Sequence, residues 1–345
     1  MSPETSYASA INRALVDSME ADKTVFCYGI GVPDHMGIFG TTTGLGERFG
    51  PERSFDTPIS EDSLMGFGLG AALAGLRPVN IHIRVDFLML AMNQLVNQIS
   101  SYQFGNQGQT SVPLTIRAVV GRGWGQGYQH SKSLHSLFTH IPGLEVFAPA
   151  TVSEAYQLTR KAIESDNPSL LIEHRWLYWH EGPMGGKDDR GKGFSELSDG
   201  ADVLVIATSW MVVEAVLASK ILAGQGIGVK VISLSTLHGP LPEDVLQLGA
   251  QIGLVVVADN DYVFSGYGAE VSSQLHEHCF SDLQQPVARL GFPSTPTPTA
   301  RHMEDAFYPN ANTIISTIGS LLQMKLRLLD QAELYSHENK FKGPF

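Results

Sequence analysis

Short apolar runs alternate along the chain with longer stretches in which apolar residues recur at helical spacing. "KTVFCYGIGV" reads as a short buried strand ending in glycine, and "RPVNIHIRV" (77–85), "VPLTIRAVVG", "LEVFAPA" and "PSLLIEHRWLY" read as further strands. Between them, "SYASAINRALVDSMEAD" opens on Ser and Thr residues suited to capping a helix, and "DFLMLAMNQLVNQISSYQ" carries an apolar stripe. Residues 61–76 predict a helix almost bare of side chains. The repeated strand–helix–strand order predicts an α/β layer architecture with a mostly parallel sheet.

Residues 181–200 turn abruptly to Gly, Asp and Lys and read as a linker between domains. A second α/β unit follows, from "ADVLVIAT" through "LVVVADN" to "NANTIISTIGSLL". The expected organisation is a first domain over 1–180, the linker, a second domain over 201–330 and a polar tail over 331–345. The fold class is α/β: two three-layer domains with mostly parallel sheets. No internal repeat or low-complexity segment appears.

The length of 345 residues agrees with two domains. A net charge of −12 without any basic cluster argues against a nucleic-acid partner or an anionic membrane surface. The two cysteines, Cys27 and Cys279, lie far apart and have no metal-type spacing, which fits two buried thiols in a reducing compartment. The N-terminal residues lack an apolar signal core and no run reaches membrane-spanning length, so a soluble cytoplasmic protein is expected.

The candidate chemistry is sparse. "GRGWGQG" (121–127) has the wrong glycine spacing for a phosphate cradle and reads as a loop needing unusual backbone angles. HExxH, CxxC, GxSxG and Walker GK[ST] motifs are absent. Gly66, Gly70 and Ala74 form one helical stripe that lets another element approach closely. Glu61, alone in front of that helix, suits the positive end of the helix macrodipole. His130, His135 and His140 are spaced by five and do not share a helical face for a metal.

The ordered set "DTPISE", "GAALAGLRPV", "MNQLVNQ", "QHS…H…PGLEV.AP" and "DNPSLLIEH" resembles one family. It is similar to the beta subunit of the thiamine-diphosphate-dependent first component of 2-oxo acid dehydrogenases, a transketolase-like pyrimidine-binding domain followed by a transketolase C-terminal domain. The resemblance spans about residues 5 to 325 and is densest before 175. It implies that Glu61 hydrogen-bonds a ring nitrogen of the cofactor's aminopyrimidine and so promotes formation of the nucleophilic ylid. It implies that Phe87 stacks on that ring, that Ile83 is an apolar neighbour, and that His130 handles substrate and meets a lipoyl arm. No GDG motif occurs, so the resemblance assigns the diphosphate and Mg²⁺ mainly to a partner alpha subunit in an α2β2 heterotetramer. The bare helix then packs at a subunit interface, including a beta–beta contact, and a lipoyl acyltransferase is a further partner. A structural K⁺ is implied on backbone carbonyls of Leu114, Ala162, Ile163 and Asn167.

Departures from the family pattern also carry information. Ile30 stands where members have a glutamate of the acidic tunnel thought to connect two cofactors. His82, Arg84 and Asp86 charge a strand that is usually uncharged. Arg84 is expected either to pair with Asp86 or Glu61 or to bind an anionic substrate group, and His135 is a second candidate for contact with substrate. Asp259-Asn260-Asp261-Tyr262 replaces a Glu-Gly-Gly-Trp turn, which bears on docking to a lipoyl-bearing core. Two enzymatic readings follow: a dehydrogenase component passing an acyl unit to a lipoyl arm, or a split transketolase-like carboligase using an aldehyde or carrier-bound acceptor. A catalytically silent scaffold is the third, opposed by the joint presence of Glu61, Phe87 and His130.

Overall fold

In the computed structural model, which describes residues 4–34, 36–121, 126–185 and 192–334, the apolar runs assemble into two main sheets. The first domain contributes β1 (Val25–Gly29), β2 (Ser54–Phe55), β3 (Arg77–His82), β4 (Thr115–Val120), β5 (Glu145–Phe147) and β6 (Ser169–His174). All are parallel, in the order β2-β1-β3-β4-β6-β5. The second comprises β7 (Phe194–Glu196), β8 (Val203–Ala207), β9 (Val229–Leu234), β10 (Val255–Tyr262) and β11 (Ala288–Phe292), in the order β11-β10-β8-β9-β7, with only the edge strand β7 antiparallel.

Alternate residues of each strand point to opposite faces, so each sheet feeds two cores. Val203, Val205 and Ala207 join one apolar cluster with Ile11, Leu15 and Val79; Leu204 and Ile206 join the other with Met65, Ile116 and Ala118. Both clusters run through both domains, which places helices on either side of the sheets and makes the domain junction part of the core. Helix α1 (Tyr7–Ala21) and α4 (Val152–Glu164) pack together on one side. Helix α2 (Glu61–Leu73) lies against β3 and the helical run 85–105.

That run departs from the single regular helix expected. It starts as α-helix over Val85–Leu88, tightens over Met89–Ala91, widens to a π-helix over Asn93–Ile99, and closes as α-helix over Ser100–Gly105. The Ser100 and Ser101 hydroxyls both donate to the Val96 carbonyl, at 2.9 and 3.1 Å, competing with the backbone ladder there.

The segment expected as a linker contributes structure at both ends. Glu181–Pro183 pairs antiparallel with Glu4–Ser6, and Phe194–Glu196 is β7 itself; residues 186–191 lie outside the described residues. Composition alone hides these strands because they are three residues long and carry Gly, Pro and Ser. Of the polar tail, Gln331–Leu334 is a helical turn with Leu334 buried, and 335–345 lie outside the described residues.

One charged group is built into the first domain's core. The Arg117 guanidinium on β4 donates to both carboxylate oxygens of Glu173 on β6, from Nε at 2.5 Å and Nη2 at 2.8 Å, and the Tyr178 hydroxyl donates to the same carboxylate at 2.7 Å. All three residues are buried. Arg117→Met leaves the Glu173 carboxylate without its counter-charge, so we expect a loss of about 3–5 kcal/mol, measurable as a lowered urea midpoint at unchanged m-value.

Candidate active site

A cavity of about 470 Å³ opens beside the first sheet, lined by Ile30, Ile59, Glu61, Leu64, Ile81, His82, Ile83, Arg84, Phe87, Leu90 and His130. Two adjacent parallel strands and one helix bring these residues together. Ile30 follows the end of β1, Ile81 to Arg84 leave the end of β3, and Glu61 is the first residue of α2. Ligand crevices of parallel sheets form at such strand ends, where the chain turns outward.

Glu61 is 8% exposed, and it makes no hydrogen bond or ion pair among the described residues. A buried carboxylate without a partner is costly, and its place in the first turn of α2 offsets part of that cost through the helix macrodipole. The surrounding walls are mainly aliphatic, so a polar ligand atom meeting this carboxylate does so in a low-dielectric setting. Phe87, 38% exposed, offers a ring at the cavity wall, with the His130 ring edge-on to it at 5.3 Å.

Two basic residues on the stretch leaving β3 carry unpaired buried atoms. Among the described residues, His82 Nε2 and Arg84 Nε have no hydrogen-bond partner. Burial pushes the His82 imidazole down to about 4, so it is neutral at physiological pH. Arg84 pairs with neither carboxylate that the sequence offered it. Asp86 is bonded to Lys132 Nζ at 2.9 Å, while Arg84 donates to its neighbour's carbonyl, Ile83 O, at 2.8 Å and to Gln126 Oε1 at 3.2 Å. Arg175 donates to the same Gln126 oxygen at 3.4 Å, and burial together with the charge of Arg84 brings its guanidinium down to about 9. Two guanidinium groups thus converge on one neutral amide.

The structure brings Glu61, Ile83, Arg84, Phe87 and His130 to one cavity and places His135 elsewhere. His135, completely buried, donates from Nε2 to Asp259 Oδ1 of the second domain at 2.8 Å. Contact with a substrate in the cavity is therefore not its position. Each partner of this pair drew attention separately in the sequence, but nothing in a linear reading couples residues 124 positions apart. Their complementary charges were the available signal. Ile59, Leu64 and Leu90 also line the cavity without having stood out, since apolar residues flanking a helix start carry no distinguishing mark.

The residues expected to hold a monovalent cation gather at one corner, where the carbonyls of three of them accept hydrogen bonds. Ile163 O accepts from Arg77 Nη1 at 3.1 Å, Ala162 O from the Thr115 hydroxyl at 3.1 Å, and Leu114 O from the Ser169 amide at 3.0 Å. Asn167 uses its side-chain amide on Glu145 at 3.1 Å. The Arg77 guanidinium meets Ile163 O of this set and, beside it, Glu164 O and Ser165 O. Among the described residues, no group of three or more His, Cys, Asp or Glu side chains could hold a metal ion. Within the chain, the close approach to α2 falls at Gly68, where a Cβ would collide with the Tyr28 hydroxyl; Gly70 of the small-residue stripe faces open space. No helix among the described residues is long and apolar enough to cross a membrane. The loop residues 122–125 lie outside the described residues.

Fold and cavity together define a two-domain subunit of transketolase type, and comparison with known proteins agrees. Residues 4–179 match the model of the transketolase pyrimidine-binding domain, and residues 194–314 match that of the transketolase C-terminal domain. The chain is 32% identical over 323 residues to the 2-oxoisovalerate dehydrogenase subunit beta of Bacillus subtilis (strain 168), covering 92% of this chain and 98% of that protein. It is 32% identical over 322 residues to the mitochondrial pyruvate dehydrogenase E1 component subunit beta-1 of Oryza sativa subsp. japonica, covering 90% and 85%. The solved structure of a split-gene transketolase, an inactive beta4 tetramer, superposes with a TM-score of 0.73 at 22% identity, over 92% of this chain and 98% of that one. The chain belongs to the thiamine-diphosphate-dependent transketolase family, among the beta subunits of 2-oxo acid dehydrogenases.

The buried His82 gives this wall a pH signature. Its folded-state pKa lies below the unfolded one, so the unfolded chain takes up the proton first. Its contribution to stability is complete above about 6.5 and is lost as the pH falls toward about 4. His82→Phe should flatten the acid side of the stability curve in that window, as read from thermal midpoints between pH 4 and 7.

Proposed function

We propose that this chain is the cofactor-activating beta subunit of a 2-oxo acid dehydrogenase, working with an alpha subunit that carries the diphosphate and Mg²⁺. The observation that carries the reading is Glu61: a buried carboxylate without a protein partner, at the wall of an apolar cavity, with Phe87 and His130 at the same wall. This suits an aminopyrimidine, which has an apolar face for Phe87 and Ile83 and a ring nitrogen that Glu61 can engage through a proton. When bound, thiamine diphosphate supplies a carbon acid whose conjugate base adds to a 2-oxo acid and accepts the electron pair left by loss of CO₂.

The protein's part is electrostatic and positional. Glu61 holds a proton between its carboxylate and the ring nitrogen, and the aliphatic walls exclude the water that would weaken that interaction. Phe87 fixes the plane of the ring. His130, packed edge-on against Phe87, is placed to give or take a proton on the substrate side.

Arg84 adds substrate class to this reading. It is 7% exposed, lines the cavity and has no carboxylate partner, which favours a donor or acceptor with an anionic group beyond the carboxylate lost as CO₂. The same observation keeps a carboligase reading open to test, with a phosphorylated or carboxylated acceptor in place of a lipoyl arm.

The reading is tested on the assembled enzyme by following CO₂ release from a panel of 2-oxo acids, with a lipoylated domain or an aldehyde as acceptor. Glu61→Gln should slow exchange of the thiazolium proton with solvent by about 10²–10⁴-fold while leaving the thermal midpoint unchanged. Undiminished exchange would remove Glu61 from this role. Arg84→Met should raise KM about 10–100-fold for substrates with a second anionic group and leave KM for neutral side chains nearly unchanged.

A further inference from the structure

The segment that carries His130 is anchored to the second domain by a polar set that catalysis at the cavity does not use. Residues 131–134 have no regular secondary structure, and burial alternates along them: Ser131, Ser133 and His135 are buried, and Lys132 lies on the opposite, half-exposed side. Every inward position but Ser131 meets the end of β10. Ser133 Oγ accepts from Asn260 Nδ2 at 2.9 Å, and His135 Nε2 donates to Asp259 Oδ1 at 2.8 Å. The Ser136 amide then donates to Asp261 Oδ2 at 3.0 Å. On the outward side Lys132 reaches Asp86, next to Phe87. Before His130, Gly127 packs so closely on Thr299 of the second domain that a Cβ would collide with its hydroxyl.

The Asp259 end of the clasp is fully satisfied. Its Oδ1 also accepts from the Thr208 hydroxyl at 2.6 Å, and its Oδ2 from the Gly268 amide at 2.9 Å. Asp261 Oδ2 lies 3.9 Å from the same His135 Nε2, so both carboxylates face one ring nitrogen, while Nδ1 has no hydrogen-bond partner among the described residues. Burial alone would lower the His135 pKa, but the charges of Asp259 and Asp261 override it and bring it to about 9; Asp259 is held below its ordinary value mainly by His135. A one-residue slip of the segment would leave buried charges unpaired, which is the kind of penalty that fixes register.

We propose that His135 is a positioning residue: through its pair with Asp259 it fixes the 130–136 segment and thereby sets His130 against Phe87 at the cavity. The second domain thus acts on the active-site geometry through residues 259–261. This rests on the reading of His130 given above, so the test separates the two.

The experiment uses the assembled enzyme with thiamine diphosphate and Mg²⁺, comparing wild type with His135→Gln, Asp259→Asn and the double variant. Turnover is measured with a 2-oxo acid, cofactor affinity by titration, and the rate of His130 acylation by diethylpyrocarbonate by peptide mass spectrometry without turnover. We expect kcat to fall about 10–100-fold, with KM and cofactor affinity little changed, His130 acylation altered several-fold, and the double variant no worse than either single. Wild-type His130 reactivity and kcat in His135→Gln, whatever its thermal midpoint, would overturn the proposal. Altered reactivity at full kcat would uphold the positioning and instead remove His130 from the reaction. If His135→Gln fails to assemble, Asp261→Asn keeps the 2.8 Å pair and removes the second charge, together with one of the two amide hydrogen bonds, from Ser136 or Tyr262, that the carboxylate accepts. A several-fold kcat loss at constant KM then supports the clasp, and no change in kcat or in His130 acylation overturns it.

Discussion

A buried imidazole whose Nε2 faces two carboxylates joins the two halves of this molecule. Charges at a dry interface are tolerated only when each finds its partners, and His135, Asp259 and Asp261 are arranged so that both carboxylates do. The apolar clusters already run through both domains, which supplies cohesion but little register. Backbone contacts add some of it: Phe147 forms an isolated bridge with Thr236, and the Ala148 amide donates to Ser235 O at 2.8 Å. These lie at the end of β5, whereas the ionic set lies on the segment that leads into β5 from the cavity. The junction is therefore tied both at the strand and at the site.

The cavity follows from that frame. Parallel strands end together, and three chain segments leaving β1 and β3 and entering α2 surround one space. The side chains at its wall are unusual in what they lack: among the described residues, Glu61 has no partner, and His82 Nε2 and Arg84 Nε have none. Folding alone would favour pairing such groups, and Lys132 with Asp86 shows that pairing was available nearby. Unspent polar capacity of this kind, gathered on one face, marks a place built to receive a ligand.

Much of this was legible in the sequence. The strands announced themselves because parallel strands buried on both faces are continuous apolar runs, and Glu61, Phe87 and His130 stood in a recognisable order. The reading went astray where long-range partners decide a residue's role. His135 read as a substrate contact because a histidine's sequence neighbours say nothing about a carboxylate 124 residues away. Arg84 had Asp86 two residues along, yet Lys132 took it, because Asp86 sits in the first turn of the Val85–Leu88 helix and residues two apart at a helix do not face each other. The cation loop is hard to read for a related reason. Backbone carbonyls leave no signature of their own, and the Arg77 that engages them lies on β3, far along the chain.

The isoleucine at position 30 fits the same logic from the other side. The family resemblance places a glutamate there, and in this chain Ile30 lines the cavity with Ile59, Ile81 and Ile83, with Glu61 the only carboxylate lining it among the described residues. A second acid nearby would raise the cost of ionising Glu61 and would bring water with it. Its replacement by an aliphatic side chain dries the wall and strengthens whatever single proton-mediated contact Glu61 makes. It also removes one acid from any proton path leading away through this subunit. The arrangement concentrates the polar chemistry of the wall on one carboxylate at a helix start, which is why the helix behind it can be nearly bare and still matter.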